Sequence, residues 1–173
     1  MSVSVFCVLI FSGIAALLDL CTRKIPNTVI LGGWFTGLGL WLGKQGYIGG
    51  LYWLSGAFGI LLLGMILYLL RGVGAGDVKL LSVAGGILGL HRGLWLYLAA
   101  LFWGAVLGLA VILKRGEGLA CLRRMGAYIR EIFVSGKAVW REEQGVKICY
   151  ATAIFGASFA LAVKEGGWIE WLK

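Results

Sequence analysis

Residues 1–116 contain only two acidic side chains, Asp19 and Asp77, and these are also the only aspartates of the chain; the other six acids are glutamates from Glu117 onward. Each aspartate lies at the end of a long apolar run. A carboxylate beside hydrocarbon is normally neutralised, paired or functional. Two carboxyls brought together at low dielectric cannot both ionise easily, so one pKa rises and the pair shares a proton. The ionised member can then draw a proton from water while the protonated member hydrogen-bonds a scissile carbonyl. Such a pair hydrolyses a peptide bond with no metal, no cofactor and no nucleophilic side chain. The residues for other routes are missing: there is no H-E-x-x-H, no G-x-S-x-G and a single histidine, His91. Cys7, Cys21, Cys121 and Cys149 form no C-x-x-C pair, so no metal site is expected, and they read as small apolar residues. Each aspartate alone also has a plainer reading, an interfacial acid balanced by a base. Arg23 follows Asp19 by four residues, and Lys79 follows Asp77 by two.

The elements that must position this pair are transmembrane helices. The chain is 60% hydrophobic and 14% charged, with a mean hydropathy of +0.92, whereas a soluble domain carries about 25% charged residues. A soluble core of this length could not hide so much apolar surface. The expected fold is an all-α, polytopic membrane bundle, a single domain over residues 1–173. A span needs roughly 20 mostly apolar residues. Six are read, near 2–20, 28–43, 50–70, 78–92, 93–113 and 148–163, with the turn between the fourth and fifth around His91-Arg92-Gly93. No Lys or Arg precedes Arg23, so the first run lacks the basic start of a signal peptide and reads as a retained span.

Charge sets the orientation. The net charge is +8, and the basic residues cluster between apolar runs, which points to the positive-inside rule and not to nucleic acid. With both termini outside, Arg23, Lys24, Arg71, Lys79 and the eight Lys/Arg of 114–147 face the cytoplasm, 12 in all. Lys44, Arg92, Lys164 and Lys173 face outward, which makes four. Asp19 then ends span one and Asp77 begins span four, both at the cytoplasmic side. The chain crosses twice between them, so the two acids can meet at one depth.

Segment 114–147 is the one long polar connection. Leu122, Met125, Ile129, Ile132 and Phe133 recur at helical spacing, with Arg123, Arg124 and Arg130 elsewhere, as in an amphipathic helix on the inner leaflet. A docking surface for the soluble part of a substrate is the sharper alternative. Gly33-x-x-x-Gly37, Gly85-x-x-x-Gly89 and Gly104-x-x-x-Gly108 allow close helix contact. Trp34, Trp41, Trp53 and Trp95 read as interfacial anchors.

Asp77 closes Gly74-Ala75-Gly76-Asp77. Glycines open backbone conformations closed to other residues and let another chain approach, as a substrate strand requires; the same stretch also reads as a plain loop with Asp77 as a helix N-cap. After Asp19 come Arg23-Lys24-Ile25-Pro26-Asn27, with the only proline at the start of span two.

Asp19-Leu20-Cys21-Thr22-Arg23-Lys24-Ile25-Pro26-Asn27 resembles the first aspartate motif of type IV prepilin peptidases, D-x-x-x-R-x-I-P-N. Gly74-Ala75-Gly76-Asp77-Val78-Lys79 resembles their second, G-x-G-D-x-K. Lys147-Ile148-Cys149-Tyr150-Ala151-Thr152-Ala153-Ile154 looks like their P-Y-A-x-A-I stretch, with Cys149 at the proline place. The resemblance implies a membrane aspartyl endopeptidase that cuts the basic leader from pilin-like precursors at the cytoplasmic face of the bacterial inner membrane. It implies Asp19 and Asp77 as the catalytic pair. Gly74, Gly76, Arg23, Lys79, Pro26 and Asn27 are read as binding substrate or positioning the loops. Bifunctional members also methylate the new N-terminus and carry a zinc-binding domain with paired C-x-x-C motifs after the first span. That domain is missing here, so a peptidase-only form is expected, similar to the small enzymes of tight-adherence (Flp-type) pili. Archaeal preflagellin peptidases share both aspartate motifs. Two rival readings stand beside this one: a small proton-coupled transporter using Asp19 and Asp77, and a structural membrane subunit with no chemistry.

Overall fold

The computed structural model describes residues 2–70, 72–115 and 150–165, without the side chains of residues 112 and 115. Among them are five helices and no strand: α1 (Val3–Thr22), α2 (Asn27–Leu69), α3 (Ala75–Leu88), α4 (Leu90–Arg115) and α5 (Tyr150–Glu165). Three stretches, Val3–Thr22, Asn27–Leu69 and Leu90–Val111, are long and apolar enough to cross a membrane. The expected amphipathic connection, from residue 116 onward, lies outside the described residues. The chain forms two compact units, Met1–Gly104 with Cys149–Lys173, and Ala105–Ile148. Of the second, only the end of α4 is described, and every contact below lies in the first.

α1 shows how a helix can be apolar all round and still have two faces. Its buried side is small: Ser4, Val5, Val8, Ser12, Ala15 and Ala16. Its exposed side carries Val3, Phe6, Ile10, Ile14 and Leu17. Small residues let helices approach, and large apolar ones suit lipid. Ser2 caps the start, its Oγ accepting the Val5 N–H at 3.4 Å.

α2 is two helical arms. Gln45 and Gly46 leave helical geometry, Gly46 with φ 57° and ψ −140°, a left-handed conformation that suits glycine. The chain turns back on itself here. Trp41 stacks on Tyr52 at 5.5 Å between ring centroids, and Trp34 meets Trp53 edge-on at 6.3 Å. Trp34, Trp41 and Trp53, read as anchors, are half-buried and also pack within the unit. Trp41 Nε1 donates to the Gly86 carbonyl at 3.0 Å, and Trp53 fills the space left by Gly37 and Gly86. Trp95 is exposed.

α3 is the centre. Every residue from Leu80 to Gly89 is buried. At 14 residues it is about 21 Å long, short of a hydrocarbon core of about 30 Å, but neighbouring helices surround it. The first arm of α2 runs parallel to it, with Gly33 against Val83 and Gly37 against Ile87; the second runs antiparallel, with Gly64 against Val78 and Gly56 against the Gly85 carbonyl. Ser82 Oγ, buried, donates to the Ala57 carbonyl at 3.0 Å. The helix ends at Leu88, because Gly89 takes φ 80°, and α4 begins at Leu90. The turn expected at His91-Arg92-Gly93 is thus earlier: these residues form the first turn of α4, and Gly93 packs on Gly85.

Cross-helix contacts sort the first unit into two ends. Ser2 Oγ donates to Glu165 Oε2 at 3.0 Å, Arg92 pairs with Glu165 at 3.2 Å, and Lys44 Nζ donates to Ser4 Oγ at 3.4 Å. The opposite end holds the end of α1, the starts of α2, α3 and α5, and both aspartates.

Candidate active site

Asp19 sits in the last turn of α1, half-buried. Its carbonyl accepts the Arg23 N–H at 2.9 Å, and Arg23 turns left-handed at φ 53° to end the helix. That i→i+4 bond places the chain reversal four positions after the aspartate. The Thr22 hydroxyl lies 2.8 Å from the Leu18 carbonyl and 3.0 Å from that of Lys24, and can donate to either. Pro26 is the N-cap of α2, with Asn27 its first residue.

Asp77 occupies the first turn of α3, whose N-cap is Gly74. It is therefore not itself the cap. Its carboxylate turns back toward the Gly74 backbone, and the positive end of the helix dipole favours an acid there. Gly74 does not need glycine's conformational freedom. Its φ of −74° and ψ of 151° suit any residue. What it supplies is room: a Cβ there would stand 2.9 Å from Asp77 Oδ2. At Gly76 a Cβ would make ordinary contact with Ile25, 3.5 Å from its Cδ1.

The charges of Asp19 and Asp77 interact. Neither carboxylate is in an ion pair among the described residues, where the single pair is Arg92 with Glu165. Arg23 and Lys24 are exposed. Lys79 Nζ instead donates to Asn27 Oδ1 at 3.2 Å. The base-balanced reading of each aspartate thus has no contact behind it. Among the described residues no cluster of His, Cys, Asp and Glu could hold a metal.

Two residues of the motif stretches that carry no expected site role contact the second motif in the fold. Ile25 covers Gly76, joining the two motifs by packing. Tyr150, at the start of α5, interacts electrostatically with Asp77, and its hydroxyl is buried with no partner among the described residues.

A sequence model of the type IV leader peptidase family matches residues 6–111, which include both aspartate motifs. The chain belongs to that family. It is an aspartic peptidase that removes the leader peptide of prepilins. This activity displaces the transporter and structural-subunit readings. No curated protein and no solved structure matches the chain. The matched stretch ends before α5 and so does not include Tyr150.

Proposed function

We propose that Asp19 and Asp77 are the catalytic pair of this peptidase, acting at the cytoplasmic face of a six-span bundle with both termini outside. The observation that carries the reading is that two half-buried carboxyls on separate helices share one end of the unit, feel each other's charge and have no cationic partner. Like charges held in this way share one proton, and the pair titrates as a unit. The ionised carboxylate takes a proton from water as the water oxygen bonds to the scissile carbonyl carbon. The protonated carboxyl hydrogen-bonds the carbonyl oxygen. When the C–N bond breaks, its electron pair goes to nitrogen, which receives a proton from the pair.

The orientation is supported by charge. Arg23, Lys24 and Lys79 lie at the aspartate end, and Lys44 and Arg92 at the other, as the positive-inside rule requires for an inward-facing site. The two arms of α2 with α1, α3, α4 and α5 supply the six crossings. The sequence holds no C-x-x-C pair, the mark of the methylating members' zinc-binding domain, and this supports a peptidase that does not methylate. The substrate is a prepilin or pilin-like precursor, and Arg23 at the mouth of the site is placed to guide an acidic residue of it. Lys24 serves as an inward-facing charge.

The test is leader removal in membranes. The chain is co-expressed with candidate precursors, and the product N-terminus is read by mass spectrometry for wild type, Asp19→Asn and Asp77→Asn. Cleavage by wild type alone, with both variants inserted normally, is the expected result. A variant that still cuts would refute the pair.

A further inference from the structure

Most buried polar groups of this bundle find a partner by bonding a backbone carbonyl. Ser82 bonds Ala57, Ser158 bonds Ile154 at 2.8 Å, and the Tyr97 hydroxyl bonds Leu63 at 3.2 Å. The Tyr150 hydroxyl does not: it is buried and has no partner among the described residues. Its ring cannot swing toward α4 to find one, because Gly104 already gives up its side chain to make room for it. A Cβ at Gly104 would collide with Tyr150 Cε2 and come within 3.1 Å of Cδ2. The two other orphaned donors, Trp34 Nε1 and Trp53 Nε1, sit in the α2 hairpin. Trp53 lies beside Gly86, nine residues along α3 from Asp77. Of the three, only Tyr150, at the start of α5 and so at the aspartate end of the unit, has an electrostatic interaction with Asp77, and no direct hydrogen bond joins them. An oxygen placed between them would satisfy the phenol.

We propose that the Tyr150 hydroxyl is a further catalytic donor, hydrogen-bonding the oxygen of the scissile carbonyl as that oxygen gains negative charge. The inference rests on the reading of Asp77 as one of the catalytic pair. As water adds to the carbonyl carbon, the π electrons move onto oxygen, and Tyr150 stabilises that charge without giving up its proton. The donor is already desolvated and held by packing, so it needs no reorganisation when charge develops, the condition under which such a donor is most effective. The structure keeps an unmatched group at a cost in stability, as functional sites do.

The experiment is Tyr150→Phe in the full chain, with kcat, KM and their pH dependence measured on a prepilin substrate and the thermal midpoint measured on the purified protein. Phenylalanine keeps the ring against Gly104 and removes only the hydroxyl. The expected result is a kcat about 100-fold lower, KM within about twofold, pH limbs unmoved because the phenol stays neutral in the working range, and a midpoint equal to or above that of wild type. Tyr97→Phe is the contrast: it loses a satisfied bond, so its midpoint falls while kcat is kept. Unchanged kcat in Tyr150→Phe overturns the inference, as does a loss carried by KM alone, a shifted pH limb, or a midpoint that falls in step with activity. Asp77→Asn separates the two layers. If it still cuts, the pair itself is wrong. If it is inactive while Tyr150→Phe is fully active, only the tyrosine inference falls.

Discussion

Lys79 Nζ donates to Asn27 Oδ1 across 3.2 Å, tying the last residue of the second aspartate motif to the last residue of the first. Residues two apart on a helix point to different sides, so this bond draws the cation away from Asp77. The lysine thereby holds α3 beside the start of α2 and leaves the acid unneutralised. Lys79→Ala and Asn27→Ala each remove the same contact. Each is expected to lower kcat/KM by about tenfold or less, and the double variant to be no worse than the poorer single one, the non-additivity of residues that act as a pair. A double-mutant cycle on leader cleavage checks this; losses that simply multiply would mean that the two side chains act separately.

The two glycines before Asp77 are not equivalent. A Cβ at Gly74 meets Asp77 Oδ2 at 2.9 Å, and a Cβ at Gly76 finds Ile25 at 3.5 Å. The carboxylate is the movable partner in the first case, so Gly74→Ala displaces it without unfolding the helix. Gly74→Ala is expected to lose 10-fold or more of its kcat with a thermal midpoint close to wild type, because a small misplacement of a reacting group is costly. Gly76→Ala is expected to stay within about threefold of wild type, since its contact is an ordinary one. Equal losses in both would mean that the loop needs glycine for substrate approach at each position.

The site was more legible in the sequence than the packing around it. Asp19 and Asp77 stood out because no other acid precedes Glu117, and counting two crossings between them brings them to one end. The turn before α4 was misplaced because Gly89, one of many glycines, bears the φ of 80° that ends α3, while the charged His91-Arg92 pair looked like the break. The packing of Trp34, Trp41 and Trp53 was not legible, because composition does not reveal which indoles fill glycine gaps or meet each other. Buried and lipid-facing sides of α1 are both apolar, so hydropathy has little period there; residue size separates them. Tyr150 lay in the stretch resembling the family's third motif, but its role stayed open, since its distinction is an unsatisfied hydroxyl, a property of the folded surroundings.

Glycine has a different weight at different places in α2, and stability measurements should show it. Gly56 lies against the Gly85 carbonyl and 3.0 Å from Gly89 Cα for an added Cβ, so backbone would have to move. Gly56→Ala is expected to destabilise by about 1–3 kcal/mol, the cost of overpacking a close-packed core. Gly39 has nothing within 4 Å of its Cβ position, and Gly39→Ala is expected to be neutral or to stabilise by roughly 0.5–1 kcal/mol through helix propensity. Thermal midpoints in one detergent compare the two directly. A harmless Gly56→Ala would mean that α3 and the second arm of α2 are not in backbone contact.

The proposed pair of Asp19 and Asp77 predicts a pH dependence of its own, that of two acids sharing one proton. At low pH both Asp19 and Asp77 are protonated, no base remains to take the proton of water, and activity falls. At high pH both are ionised, no proton remains to hydrogen-bond the carbonyl, and activity falls again. Between these limits the singly protonated pair is the working form, so kcat/KM should rise and then fall with pH, and the two limbs belong to the pair and not to either residue. Membrane insertion should be unchanged across the range, which separates titration of the site from loss of the protein. Because a Cβ at Gly74 would stand 2.9 Å from Asp77 Oδ2, Gly74→Ala shifts that carboxylate relative to its surroundings, and the limbs should move while those of Gly76→Ala stay in place. A rate that is flat between about pH 4 and 8 in the wild type would count against a shared proton.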